Sequence, residues 1–339
     1  FFKSPQKDFG YDVSDYYNIN PEYGTLEDFE LLISKAHNLT LKVMLDIVPA
    51  HCSSEHPWFV ESRSSNTNPK SDWFHWAEPK EDGSAPTNWL SFFGGQAWTW
   101  EPRRQQYYLH NFLPEQPNLN YANPAVLEEF NQIAKFWFDR GVDGFRLDAV
   151  HTINADTFPY RDNPANPKFK LGPLPQDQQP FFRQLHDAAQ LNQPAIQDFC
   201  ASYRRIADSY ENDRFLMGEV DGDNDSAITV SETFTKPGRL HATYNFDLLE
   251  WGGLTVKEIK EAILKSTKVF NNTGRLSFAF SNHDVPRVAT RQLKALNVSP
   301  KDSDKMQILL LNLQISLIGS TCIYQGEELG LEDVTDIPK

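Results

Sequence analysis

In the apolar stretch GFRLDAVH, residues 144–151, an arginine and an aspartate stand two positions apart. A guanidinium favours the ionised form of a neighbouring carboxyl, so Arg146 beside Asp148 suits an aspartate that must stay charged to act as a nucleophile. RFLMGEV, residues 214–220, ends in Glu219 after an apolar run, a setting that raises a carboxyl's pKa and fits a general acid. Two further apolar runs end in polar groups: LKVMLDIVP with Asp46 and then His51, and RLSFAFSNHD with His283 and Asp284. Any one of these is an ordinary structural ion pair. Asp148, Glu219 and Asp284 at the same end of a sheet would repel one another, which folding alone gives no reason to accept. Retaining glycoside hydrolysis gives one: a first carboxylate attacks, a second carboxyl donates a proton, and the two lie about 5 Å apart.

The elements that must position these groups alternate along the chain. Residues 25–39 read as a helix, opened by Thr25 and Asp28 at capping-box spacing and striped by Phe29, Leu32, Ile33 and Ala36. A second, residues 125–140, carries Val126, Phe130, Ile133, Ala134 and Trp137 on one face and stops at Gly141. Strands are read at residues 41–49, 142–150, 214–220, 242–249, 275–284 and 320–328, with further helices near residues 194–210, 255–270 and 304–318. Near-continuous apolar strands alternating with helices imply a parallel sheet covered on both faces, either an open doubly wound sheet or a closed barrel. Residues 51–124, rich in Trp, Pro, Asn and Ser, read as an irregular insertion, and residues 151–193 as a long proline-rich loop. Both follow strand C-termini, where α/β barrels build their sites.

The chain's 339 residues, 40% hydrophobic and 23% charged, suffice for a large core. A net charge of -14 argues against nucleic acid or an anionic membrane as partner, and the longest apolar run, Ile308 to Ile318, is too short to cross a bilayer. Cys52, Cys200 and Cys322 are far apart and odd in number, which favours reduced thiols and a cytoplasmic protein; the N-terminus does not start at a Met, so export is left open. Aromatics concentrated between Trp58 and Tyr121 suit either sugar rings or a buried loop core. His56, His75 and His110 lack metal-ligand spacing and read as packing residues, while His151 is placed to line a pocket.

DIVPAH, GFRLDAVH, MGEV and FSNHD resemble, in order, the four short signature regions of the α-amylase family of glycoside hydrolases. DFGYDVSDY and QPNLN are similar to that family's α-glucosidase and oligo-1,6-glucosidase branch. The resemblance implies a TIM (β/α)8 barrel with about six strands visible, its catalytic barrel formed by residues 1–50 and 125–339, and a small domain, residues 51–124, inserted after strand three. It implies Asp148 as nucleophile, Glu219 as general acid and base, and Asp284 as the carboxylate that stabilises the transition state. Arg146, His51 and His283 would bind the same ring. Asp8 and Tyr11 would recognise the terminal glucose, and Phe93 and Phe112 are candidates for the pocket wall. Ala149, where relatives cleaving α-1,6 bonds tend to have Val, tilts the linkage toward α-1,4.

Ala50 stands where many family members place a calcium-binding Asn, so no metal is expected there, and no cofactor is implied. Two barrel strands and a C-terminal domain would lie outside this sequence, so a longer polypeptide is expected. The resulting expectation is an exo-acting retaining α-glucosidase taking short α-1,4 glucosides, with some transglucosylation. The alternatives are an oligo-1,6-glucosidase or sucrose/trehalose isomerase, and a non-catalytic relative that binds sugars.

Overall fold

In the computed structural model, which describes residues 1–153, 159–170, 181–185, 190–193, 196–221, 227–249, 252–271 and 275–334, the chain divides into two units, Phe1–Glu219 and Val220–Lys339, each taken here on its own.

The first unit opens with an antiparallel pair, β1 (Phe2–Lys3) and β2 (Asp15–Ile19). The loop between them is organised from inside by Asp12, fully buried, whose carboxylate accepts from Ser4 Oγ at 2.8 Å and from the Lys7 and Asp8 amides at 3.1 Å each. Helix α1 (Leu26–Asn38) starts as its sequence predicts: Thr25 Oγ1 accepts the Asp28 amide, and Asp28 Oδ2 accepts the Thr25 amide. Phe29 and Ile33 are buried, but Leu32, expected in the same stripe, is 52% exposed. The helix packs through a narrower face because its neighbours there are the Trp137 ring and Gly141, met by Phe29 and Ile33 respectively. Strand β3 (Met44–Ile47) follows.

Residues 51–124 are more regular than their composition suggests. They hold a short helix, α2 (Pro57–Ser62), and a three-stranded antiparallel sheet of β4 (Trp76–Ala77), β5 (Trp98–Glu101) and β6 (Gln106–Leu109), in the order β4-β6-β5. Elements of two to six residues are too short to register a hydrophobic period. The tryptophan enrichment resolves largely into a core: Trp89 and Trp98 pack with Ala85, Ala97 and Leu109, and Phe59, Trp73 and Phe74 are buried too. Tyr160, from the proline-rich stretch, stands edge-on to both Trp89 and Trp98. His56 caps α2 by accepting the Trp58 amide on Nδ1, and His110 bonds Thr99 Oγ1 and the Phe112 carbonyl. Residues 154–158, 171–180 and 186–189 of the expected long loop lie outside the described residues.

Helix α3 (Pro124–Asp139) buries Val126, Phe130, Ile133, Ala134 and Trp137, the predicted stripe. It leads to β7 (Gly144–Leu147), then α4 (Ile196–Asp208) and β8 (Phe215–Gly218). β7 pairs parallel with β3 on one side and β8 on the other, every residue of it buried. A Cβ on Gly144 would stand 2.3 Å from the Phe215 carbonyl oxygen, so the approach of β8 excludes any side chain there. β3 and β7 are four residues long where nine were expected, and β7 ends in a turn directly after its last paired residue.

The second unit keeps the alternation: α5 (Ala227–Phe234), β9 (Ala242–Asn245), α6 (Val256–Asn271), β10 (Leu276–Phe278), α7 (Val288–Ala295), α8 (Ser303–Ile315) and β11 (Ser320–Thr321). β10 pairs parallel with β9 and β11. Leu248, Leu254, Ala262, Phe278, Phe280, Val288 and Leu310 form its core. α5 and α7, eight residues each, were not anticipated from periodicity. Among the described residues no helix is long and apolar enough to cross a membrane.

Candidate active site

The register of β3 on β7 makes Asp46 the partner of Arg146, which sets an acid and a guanidinium side by side on one sheet face. Arg146 Nη1 lies 2.9 and 3.0 Å from the two Asp46 oxygens and 2.5 Å from Asp148 Oδ1, while Nη2 lies 2.8 Å from Glu219 Oε2. One guanidinium therefore holds three carboxylates. Asp148 and Glu219 follow the last residues of β7 and β8, and their amides bond the Ile47 and Leu147 carbonyls at 2.9 Å each, so the ladder itself delivers them to a common place. Both side chains are buried, and both contact the Arg146 guanidinium.

Ala149 turns the chain at that point. Its φ is +39°, left-handed and uncommon for a residue with a side chain, and its amide donates to Glu219 Oε2 at 2.8 Å. The turn is clasped by Thr152 Oγ1 on the Ala149 carbonyl at 2.8 Å. His151 Nδ1 approaches the Glu219 carbonyl at 3.2 Å.

Burial raises the Asp148 carboxyl well above the ordinary range against the opposing pull of Arg146, with the Glu219 and Asp46 charges adding to the rise. Burial acts on Glu219 too, but Arg146 and the Ala149 amide outweigh it and hold this carboxyl below its usual value. The sequence reading placed the proton on Glu219. The direction of the Glu219 shift differs from that expectation, because Glu219 receives the Nη2 arm and a backbone donor that the local sequence does not reveal.

A second group adjoins the first. Tyr11 hydroxyl donates to Asp46 Oδ2 at 2.8 Å, and the Tyr11 ring lies 5.9 Å from the Arg146 guanidinium carbon. His51 Nε2 lies 3.1 Å from the Tyr11 carbonyl and 3.0 Å from Gln116 Nε2, and Gln116 donates to Asp8 Oδ2 at 2.7 Å. Burial lowers the His51 pKa to about 4, keeping the ring neutral. Phe112 packs on His51 with centroids 5.1 Å apart; Phe93, 57% exposed, touches Phe112 at 5.3 Å.

The structure thus brings Asp8, Tyr11, His51, Phe112, Arg146, Asp148, Ala149 and Glu219 into one connected set, with Phe93 at its edge. His283 and Asp284 belong to the second unit, in the loop after β10, where His283 Nε2 stands 3.5 Å from Asp284 Oδ1 and Asn282 Oδ1 accepts the Asp284 amide at 2.9 Å. Asp46, Gln116 and Asp12 were missed as site residues. Asp46 had a signal, a charge ending an apolar strand; Gln116 and Asp12 lie inside the QPNLN and DFGYDVSDY motifs, but their partners, Asp8 for Gln116 and the Ser4, Lys7 and Asp8 groups for Asp12, could not be read from residue type. Among the described residues no group of three His, Cys, Asp or Glu side chains is arranged to hold a metal ion.

Buried carboxylates gathered by an arginine just past the ends of parallel strands, in a chain of alternating strands and helices, lie where α/β barrels build their active sites. The chain belongs to the α-amylase catalytic-domain family, whose fold is the TIM (β/α)8 barrel: that family's model matches residues 1–338. It is similar to a Rhizobium meliloti (strain 1021) protein named "Probable alpha-glucosidase", 44% identical over 98% of this chain and 59% of that protein. An oligo-1,6-glucosidase of Heyndrickxia coagulans is 33% identical over 97% of this chain and 58% of its own length. The solved structure of an alpha-glucosyl transfer enzyme superposes with a TM-score of 0.89 at 42% identity, covering 98% of this chain and 60% of that one. Isomaltulose synthase from Erwinia rhapontici NX5 superposes at 0.84 with 31% identity, over 98% of this chain and 58% of its own. The chain spans about three fifths of the length of these relatives.

Proposed function

We propose that this chain carries the catalytic site of a retaining exo-α-glucosidase that releases glucose from the non-reducing end of short α-1,4-linked glucosides. The observation that carries the reading is the shared guanidinium: Arg146 contacts Asp148 and Glu219 at once, through Nη1 and Nη2. An inverting enzyme needs about 6.5–9.5 Å between its carboxyls to admit a water; a pair drawn together on one guanidinium suits the closer spacing of the retaining arrangement.

In this reading Asp148 attacks the anomeric carbon as Glu219 gives its proton to the departing oxygen. Glu219 then takes a proton from water, or from a sugar hydroxyl, as the glucosyl–Asp148 ester is opened. Arg146 and His51 bind the ring of the glucose under attack, and Asp284 and His283 keep the substrate-binding roles that the sequence resemblance implies for them. Asp8 and Tyr11 recognise the terminal glucose, Phe112 and Phe93 contribute wall, and residues 51–124 act as the inserted domain. Ala149, small and 5% exposed beside the nucleophile, favours α-1,4 over α-1,6 linkage.

Transfer to a sugar acceptor is a second reading, supported by the similarity to an alpha-glucosyl transfer enzyme and an isomaltulose synthase. The test is turnover of maltose, isomaltose and sucrose by the full-length protein beside Asp148→Asn. Maltose should be preferred and glucose released with retained configuration. Isomaltulose from sucrose would move the assignment to the isomerases, and inhibitor binding without turnover would move it to a non-catalytic relative.

A further inference from the structure

Gln116 is fully buried and uses both ends of its amide. Its oxygen accepts the Leu113 amide at 3.0 Å, which fixes which end is which. Its nitrogen then donates to Asp8 Oδ2 at 2.7 Å and stands 3.0 Å from His51 Nε2, which accepts from it in the tautomer with the proton on Nδ1 and otherwise donates to the Tyr11 carbonyl at 3.1 Å, packed against the amide in either case. Asp8 comes from the loop after β1, His51 from the turn after β3, and Gln116 from the stretch following β6. A single amide from the inserted segment thus joins two parts of the chain that are remote in sequence.

We propose that Gln116 is a positioning residue for substrate recognition, holding the Asp8 carboxylate and the His51 ring at the separation that a terminal glucose requires. This rests on the reading of Asp8 and His51 as sugar-binding groups. A carboxylate on a loop tip has several rotamers, and a donor fixed by the rest of the pocket selects one before substrate arrives, so less ordering remains to be done on binding. Burial makes the amide hard to replace: an apolar side chain there leaves Asp8 without its buried donor, and an acid introduces a like charge 2.7 Å from Asp8.

The experiment compares Gln116→Met, Gln116→Glu and Asp8→Asn in the full-length protein, measuring kcat and KM for maltose from pH 5 to 8. Gln116→Met should raise KM by at least about tenfold with a smaller change in kcat. Gln116→Glu gives the readout that loss of packing cannot imitate. At high pH two carboxylates repel and the deficit in kcat/KM is large; at low pH the introduced carboxyl is protonated, donates to Asp8 as the amide did, and the deficit shrinks by about tenfold or more. Asp8→Asn should raise KM at every pH. A normal KM in Gln116→Met beside an impaired Asp8→Asn overturns the positioning role while leaving Asp8 in place, as does a Gln116→Glu deficit that is the same at pH 5 and pH 8. A normal KM in Asp8→Asn removes the underlying reading of the pocket instead.

Discussion

Arg146 Nη1 stands 2.5 Å from Asp148 Oδ1, both side chains being nine-tenths buried. The contact answers the question raised by two ionisable groups in an apolar strand: neither is tolerable there alone, and the pair is completed by Asp46 and Glu219. Truncation of the cation should therefore damage the fold as well as the chemistry. Arg146→Met leaves several acids crowded without a counter-charge, and is expected to lower stability by about 3–5 kcal/mol and abolish turnover. Arg146→Lys keeps a charge but cannot reach Asp148 and Glu219 through two fixed arms, so it should restore much of the stability and little of the activity. Urea midpoints beside kcat/KM separate the two; an active Arg146→Met would dismiss the role given to the guanidinium.

The two carboxyls of the proposed pair are distinguishable by leaving group. With 4-nitrophenyl α-glucoside, whose leaving group needs little protonation, Glu219→Gln should retain a burst of nitrophenol, whereas Asp148→Asn should show none and lose at least about 10³-fold in kcat. Stopped-flow absorbance reads the burst. The reverse pattern would exchange the assignments.

Acid should weaken the first unit through its buried imidazoles. Burial lowers His51 and His56 from 6.5 to about 4. Above pH 6.5 neither state of the chain is protonated at these rings and they contribute no pH dependence. Between pH 6.5 and about 4 the unfolded chain binds protons that the folded one refuses, so stability falls with pH, by up to about 3 kcal/mol per ring, and levels off below. His56 also accepts the Trp58 amide on Nδ1, a bond its protonation destroys. His56→Asn, which keeps a capping acceptor, should flatten the slope of stability over this interval as followed by urea titration. An unchanged slope would show that other groups set the acid limit.

Two stability variants contrast interior and surface. Trp137 is fully buried, touches the rings of Phe1, Phe2, Phe29 and Phe136, and donates from Nε1 to the Tyr16 carbonyl at 2.8 Å. Trp137→Ala should destabilise by about 3–5 kcal/mol. Thr25→Ala removes the α1 cap at an exposed position and should cost about 1 kcal/mol. Chemical denaturation orders them; equal effects would contradict the packing described for α1 and α3.

Much of this was legible in the chain because long, regular elements announce themselves. The apolar stripe of α3 and the reciprocal Thr25–Asp28 cap of α1 follow from periodicity and side-chain chemistry, and both are present. Strand cores were found and their ends overrun, since the apolar residues that continue past β7 belong to the turn made by Ala149, whose left-handed backbone nothing in its type predicts. The three-stranded sheet of the insertion was invisible because its strands take their partners from tertiary pairing. The same holds within the site. Acids that end apolar runs could be picked out one by one, but the hydrogen bond of Gln116 to Asp8 exists only once distant segments have met.

Cys52 directly follows His51, is wholly buried, and has its thiol pushed far up by that burial. A thiol in that state is inert to alkylating reagents until the chain around it opens. The residue is thus a built-in clock for opening of the chain around His51: its labelling rate in native buffer measures how often that segment breathes, and a glucose analogue bound as proposed for His51 should slow the clock in proportion to its occupancy.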